Sequence, residues 1–163
     1  MNELIIIDHR YLKVSRNFEE FTNRLEEGLG IMAPEKIRHL GADPASMETY
    51  LSETSTNESL VLYNIFDQSI TLDQFQKKKI KAKQYHIGNP KMISKMTGIN
   101  SSTGLYLPIR LLVYENPRQQ VIVEYDLPFS LLERLNNMEI DRESIILDKR
   151  LQMLIDQADR KNL

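Results

Sequence analysis

The sequence predicts an α+β protein in which helices cover one face of an antiparallel or mixed sheet. Helices with capping signals of their own separate the strand-like segments, without the regular alternation of parallel α/β folds. Residues 105–125 show the pattern of a β-hairpin, and the chain ends in apolar residues at helical spacing.

The first strand and the first helix are adjacent in the chain. Residues 4–15 are β-prone, with apolar positions that alternate towards the end of the segment. Asn17 and Glu20 have the form of a capping box in which Asn17 is the N-cap. Gly28 and Gly30 end the helix. Its apolar side consists of Phe18, Phe21, Leu25 and Leu29.

Two short helices and a linker come next. Pro34 and Pro44 suit first helical positions, and Gly41 suits the stop between the two helices. Residues 52–59 form a polar segment that we interpret as a linker.

Residues 60–66 read as a buried strand, followed by a capping box at Thr71 that opens a helix through Ile80. Residues 84–88 form the next strand. Asn89 then serves as the N-cap of a helix that begins at a proline, and the segment after that helix reads as a loop.

The hairpin at residues 105–125 has a turn that contains an Asn-Pro-Arg sequence. With a symmetric turn, Arg110 faces Tyr125 and Glu115 faces Gln120, and a bulge would shift this register. One face then carries Arg110, Leu112, Tyr114, Val121, Val123 and Tyr125. The other carries Ile109, Leu111, Val113, Ile122 and Glu124.

The C-terminal part begins with a short helix at Pro128, and Asp141 is expected to cap a final helix. We expect a domain over residues 1–136 and a helical extension over residues 137–163. The final helix has Leu147, Leu151, Leu154 and Ala158 on one stripe and further apolar residues beside it, Ile145, Ile146, Met153 and Ile155. This broad surface fits either a cover for the domain or an interface with a second subunit.

Bulk composition excludes several classes of function. The 163-residue chain suggests one domain, and the absence of cysteine excludes disulfides and thiolate chemistry. No segment approaches the about 18 apolar residues of a membrane span, and no secretory leader is evident, so we expect a cytoplasmic protein. The net charge of −2 gives no general attraction to nucleic acid. We interpret the lysines within residues 77–83 as a solvated helix end.

No motif of a known catalytic or cofactor site is present. The three histidines are scattered and lack metal-ligand spacing, and the methionines fit core positions. We therefore predict no catalytic residue, no metal and no cofactor from the sequence.

Five polar residues on or near apolar strands form the candidate ligand site. A helix N-terminus favours anions, and an arginine on a neighbouring strand can clamp a carboxylate or a phosphate. Tyrosines add ring surface and hydroxyl groups. The candidate residues are His86, Asn89, Arg110, Tyr114 and Tyr125.

The same residues also have a purely structural interpretation, which stays open. Asn89 can simply cap its helix, and the tyrosines can be half-buried. Arg110 can pair with Asp126 or with a backbone carbonyl, whereas Glu124 projects to the opposite face in the expected register.

Four segments resemble the family of domains of unknown function numbered 302. Residues 18–25 are similar to its opening amphipathic helix, and 65–69 lie where many members have an Asp-His pair. Residues 86–90 resemble its Gly-Asn-Pro turn, and 107–115 resemble its Leu-Pro-(Leu/Ile)-Arg strand. The order and spacing agree over about residues 10–127.

The resemblance implies a curved antiparallel sheet of about four to six strands, backed by helices in a TATA-binding-protein-like β-α-β4-α arrangement. It also implies a homodimer, and it implies no activity. Gln68 stands where the family has a histidine, so a role for that histidine is not carried over.

From this combination we predict a module that binds or senses a small anionic or carboxylate-bearing ligand as a homodimer. Two alternatives stay open. One is an enzyme with a Tyr, His or Asp acid-base site, and the other is a scaffold that acts through the C-terminal helix. We predict no nucleic acid and no membrane as partners.

Overall fold

The computed structural model describes residues 4–40, 43–54, 60–77 and 79–160. Its strands are β1 (His9–Lys13), β2 (Gly30–Ile31), β3 (Val61–Asp67), β4 (Ala82–Gly88), β5 (Ile109–Glu115) and β6 (Val121–Asp126). Its helices are α1 (Phe18–Glu27), α2 (Pro34–His39), α3 (Pro44–Thr54), α4 (Gln68–Gln76), α5 (Pro90–Ile99), α6 (Pro128–Leu132) and α7 (Met138–Asp159).

The strands form one six-stranded sheet in the order β1-β6-β5-β4-β3-β2. Neighbouring strands are antiparallel except for the short parallel pair of β2 and β3. The α+β class and the mostly antiparallel sheet are therefore confirmed.

One face of the sheet packs against the helices, because alternate residues of each strand point to that side. These strand residues form the core together with side chains of α1, α5, α6 and α7. The main contributors from the sheet are Tyr85, Ile87, Ile109, Leu111, Val113, Val123 and Tyr125.

Helix starts that depend on a local cap agree with the sequence. The Asn17 side chain accepts a hydrogen bond from the Glu20 amide, and that of Asn89 accepts one from Met92. Each bond satisfies one of the amides that a helix start leaves without a partner inside the helix. Gly28 directly follows α1.

Two helix starts were predicted at the wrong residue. Helix α4 begins at Gln68 because the Asp67 carboxylate at the end of β3 accepts from the Ser69 amide, so Thr71 lies inside the helix. Helix α7 begins before Asp141 because the Asn137 side chain accepts from two amides, those of Glu139 and Ile140. Asp141 then lies in the first turn, where a negative charge is favourable.

Several further segments differ from the prediction or lie outside the described residues. β1 covers only His9–Lys13 of the predicted strand, and the segment after α5 is a 3-10 helix, Ser101–Leu105, instead of a loop. In β3, the side chains of Asn64 and Phe66 are exposed, so this strand is buried on one side only. Gly41 and residues 55–59 of the predicted linker lie outside the described residues.

The lysine-rich segment belongs to the surface and is partly neutralised. Lys77 directly follows α4, and Lys78 lies outside the described residues. Lys81 and Lys83 reach α1, where their ammonium groups lie 2.9 Å from carboxylate oxygens of Glu19 and Glu26.

The hairpin register is one residue away from the predicted symmetric one. Leu111 pairs with Tyr125, and Tyr114 pairs with Ile122. Gln119 adopts a left-handed conformation with φ of 58°, and the Asn116 side chain accepts from the amides of Arg118 and Gln120. This turn adds one residue to the connection and therefore exchanges the faces of β6.

Helix α7 shares its core with the sheet. Ile155 is buried and Ile146 packs against the core, so less apolar surface is left than the sequence suggested, although Ile145 and Met153 stay exposed. The core residues of α7 are Ile140, Leu147, Leu151, Leu154, Ile155 and Ala158.

Replacing Leu151 by alanine tests this packing. Leu151 is fully buried, so Leu151→Ala should lower the free energy of unfolding by about 2–5 kcal/mol through lost burial and a cavity. The control Met153→Ala changes an exposed residue of the same helix and should cost less than about 0.5 kcal/mol. Urea unfolding measures both, and equal small effects would show that α7 is not part of the core.

Candidate functional site

The face of the sheet that points away from the helices is the open face. Its residues alternate with those of the core, and most remain partly or fully exposed. It carries Asn64 and Phe66 of β3, Gln84 and His86 of β4, Arg110, Leu112 and Tyr114 of β5, Glu124 and Asp126 of β6, and His9 and Tyr11 of β1.

A row of polar side chains crosses the open face. Asn64 pairs with His86, His86 pairs with Arg110, and His9 pairs with Asp126. Leu111 pairs with Tyr125, and the next residues on these two antiparallel strands are Arg110 and Asp126. Arg110 and Asp126 are therefore neighbours, and they connect the two halves of the row. The row thus joins an amide, two imidazoles, a guanidinium and a carboxylate across five strands.

Arg110 is the exposed cation of this row. None of the ion pairs or hydrogen bonds of the described residues involves its guanidinium. His86 lies directly opposite Arg110 on the neighbouring antiparallel strand, and side chains in such a pair are within contact range. Burial, together with the charge of Arg110, lowers the pKa of His86, so this imidazole is neutral at pH 7. The Phe66 ring meets the His86 ring edge-on, with centroids 5.1 Å apart.

The other end of the row is a clamp around His9. Its Nδ1 lies 2.8 Å from a carboxylate oxygen of Asp126, and its Nε2 lies 3.2 Å from one of Glu124. The bond to Asp126, with support from Glu124, holds the pKa of His9 above its usual value. Both ring nitrogens are engaged, so His9 ties the edge strand β1 to β6 and is not free to act as a base.

Tyr114 belongs to the same group of side chains. Its hydroxyl donates to Glu124 over 2.5 Å, and this bond and burial raise the pKa of Tyr114 to about 12. Tyr114 and Glu124 therefore share the open face, contrary to the predicted placement of Glu124 on the opposite side.

The remaining two candidates lie on the covered side. Tyr125 is buried, and its hydroxyl donates to Gln152 of α7 over 3.2 Å. Asn89 is buried and caps α5, whose Met92 and Met96 are in the core. The structure thus brings together His86, Arg110 and Tyr114 of the five candidates, and it separates Asn89 and Tyr125 from them.

His9 carries no signal in the sequence, where Asp126 and Glu124 were considered only as partners of Arg110. His9 and Asp126 are 117 positions apart in the chain, so no local pattern could have joined them. Glu124 was identified only in the wrong register. The apolar alternation along β6, taken together with the turn residues at Asn116, was the signal that could have indicated the correct register.

Metal binding finds no support within the described ranges of the chain. No group of three or more His, Cys, Asp or Glu residues there has a geometry that could hold an ion. Asp148 of α7 lies on the covered side, where burial raises its pKa to about 6.

The His9 clamp predicts a definite pH dependence. Because its folded pKa is raised, protonated His9 stabilises the fold fully below the unfolded pKa of about 6.5, and this effect is lost as pH rises through the folded pKa. His9→Gln should therefore destabilise the fold most at pH 5.5–6.5 and least at pH 9. The loss of unfolding free energy should stay below about 1 kcal/mol, since the pair is exposed.

The matched control is His39→Gln, because His39 is exposed and its ring contacts only a backbone carbonyl, that of Glu35. Thermal melts of the two variants and the parent protein from pH 5.5 to 9 give the comparison. A His9→Gln deficit that grows towards pH 9 would contradict the clamp.

Comparisons with known proteins support a family assignment. The model of the family described as Domain of unknown function DUF302 matches residues 38–158, which include α7. The crystal structure of an uncharacterized conserved DUF302 protein from Bacillus stearothermophilus is similar in fold, with a TM-score of 0.67 at 19% identity. The similarity covers 93% of this chain and 98% of that one.

Two other searches gave negative results, one among curated proteins and one for membrane-spanning helices. No curated protein matches this sequence significantly. Among the helices of the described residues, none is both long enough and apolar enough to cross a membrane. The family match and the shared fold agree with the resemblance seen in the sequence, and the chain belongs to the DUF302 family.

Proposed function

We propose that the protein is a small-molecule-binding module whose open face takes a carboxylate- or phosphate-bearing ligand through Arg110 and His86. The observation that carries this proposal is an exposed guanidinium without an acidic partner among the described residues, on the face of the sheet opposite the core helices. An arginine fork presents two parallel donors that match a carboxylate or a phosphate.

The neighbours of Arg110 define what the ligand meets. His86 supplies a neutral imidazole that can donate or accept one hydrogen bond, and Phe66 supplies a ring beside it. Towards β6, Asp126 and Glu124 are both bonded to His9, and Glu124 also accepts from the Tyr114 hydroxyl, so both carboxylates have partners other than Arg110. The favoured ligand has an anionic group and a flat or apolar part over Phe66.

The test compares Arg110→Leu with Arg118→Leu. Arg118 is exposed in the hairpin turn, away from His86, and serves as the matched control. Citrate and inorganic phosphate are titrated by calorimetry and by ligand-induced thermal stabilisation. Arg110→Leu should weaken binding roughly 10-fold or more because a charged hydrogen-bonding group is lost.

The same titration has a pH dependence with a known sign. A bound anion favours protonated His86, whose pKa is lowered in the free protein, so binding of sulfate, which keeps its charge in this range, should tighten as pH falls from 7 to 5. Equal binding by the parent protein and Arg110→Leu, or equal losses in both arginine variants, would refute the site.

We further propose that the module acts as a homodimer through the outer side of α7. Met138, Ile145 and Met153 are exposed and follow each other at intervals of seven and eight residues, so they lie on one stripe of the helix. Removal of all residues after Asn136 is unsuitable as a test, because it deletes core residues of α7.

The double substitution Ile145→Glu and Met153→Glu tests the stripe without touching the core. We expect a dimer of the parent protein and a folded monomer of the variant by sedimentation velocity. Leu105→Glu is the control, since Leu105 is an exposed apolar residue outside α7. A monomeric parent protein, or a variant that remains a dimer, would contradict this interface.

A further inference from the structure

A pocket lies on the covered side of the sheet, away from Arg110. It has a volume of about 540 Å³ and opens between the α2–α3 pair, β3 and α5. The walls from the α2–α3 side are Met32, Ile37, Met47 and Leu51. This volume lies within the range of about 300–1,000 Å³ that small-molecule sites occupy.

The opposite wall combines apolar and small polar groups of α5. Pro90 and Ile93 line it together with Ser94, Thr97 and Gly98. No charged residue lines the pocket. A charged ligand would lose its hydration there without compensation, so the lining selects an uncharged one.

Tyr63 supplies a hydroxyl group to the lining of the pocket. Its side chain lines the pocket, and burial raises its pKa to about 12. Its hydroxyl makes no hydrogen bond with any residue in the described ranges. Since Tyr63 is only partly buried and lines the pocket, its hydroxyl is available to a ligand atom that accepts from it or donates to it.

A bulge in β3 gives Tyr63 this position. Leu62 pairs with Ile87 and Asn64 pairs with His86, which leaves Tyr63 as an extra residue between two consecutive residues of β4. Leu62 packs against the core and Tyr63 lines the pocket, so both point towards the helices. Bulges of this kind redirect a side chain and are frequent next to binding sites.

We infer that this pocket binds a small, uncharged, mostly apolar molecule with a single hydrogen-bonding group directed at the Tyr63 hydroxyl. At about 30 Å³ for each water-sized group, the pocket holds roughly 18 non-hydrogen atoms. The ligand therefore has the size of two or three fused or linked rings. This site is independent of the anion site proposed for the open face.

N-phenyl-1-naphthylamine is a suitable probe, because it is neutral, of this size, has one N–H group and fluoresces in apolar surroundings. The parent protein should bind it saturably with one molecule per chain. Gly98→Leu should abolish binding, since a Cβ at Gly98 meets no atom within 4 Å and its side chain would enter the free space. Ser94→Leu blocks the same wall and repeats the test, and circular dichroism melts confirm that both variants fold.

Tyr63→Phe removes only the hydroxyl and should weaken binding about 3- to 10-fold, which corresponds to the free energy of one hydrogen bond.

Two control variants distinguish this pocket from the open face and from other exposed apolar surface. Phe75→Ser changes an exposed ring on α4, and Arg110→Leu changes the open face, and both should bind the probe like the parent protein. Non-saturable binding, full binding by folded Gly98→Leu and Ser94→Leu, or loss of binding in Phe75→Ser would overturn the proposal.

Discussion

The pairing register of the β5–β6 hairpin determines where the important side chains of this protein lie. Since side chains alternate along a strand, a shift by one residue exchanges the two faces of β6. The turn at Asn116, with Gln119 in the left-handed region, places Tyr125 beside Leu111 in the core. It thereby places Glu124 on the open face.

The distribution of charge on the open face follows from this register. Glu124 and Asp126 reach His9, so one histidine bonds to two carboxylates and fastens the edge strand β1. Arg110 is left exposed beside a neutral imidazole. With β6 in the other register, these carboxylates would point into the core, where two uncompensated charges would be very costly.

The two sides of the sheet have different chemistry. The open face is polar and carries a cation, whereas the covered side has a mostly apolar pocket that Tyr63 lines. Irregular backbone shapes both sides, through the bulge at Tyr63 and the left-handed Gln119. Such irregular positions in a sheet redirect side chains that regular alternation would place elsewhere.

Local signals explain which features could be predicted from the sequence. The cap at Asn17 and the Asn-Pro start at Asn89 depend on contacts within three residues, and both were identified correctly. The α+β class and the family motifs also followed from the sequence. Competing caps caused the misplaced helix starts, because Asp67 and Asn137 capture the first amides before the predicted residues can.

By itself, the sequence determined the class of fold, the order of its longer elements and the presence of His86, Arg110 and Tyr114 on strands. The tertiary structure alone decided that Tyr125 is separated from Arg110 and that His9 meets Asp126. Periodicity specifies that neighbouring residues of a strand lie on opposite faces, but a single turn residue sets which face meets the helices. Contacts between residues 117 positions apart depend on the whole sheet being assembled.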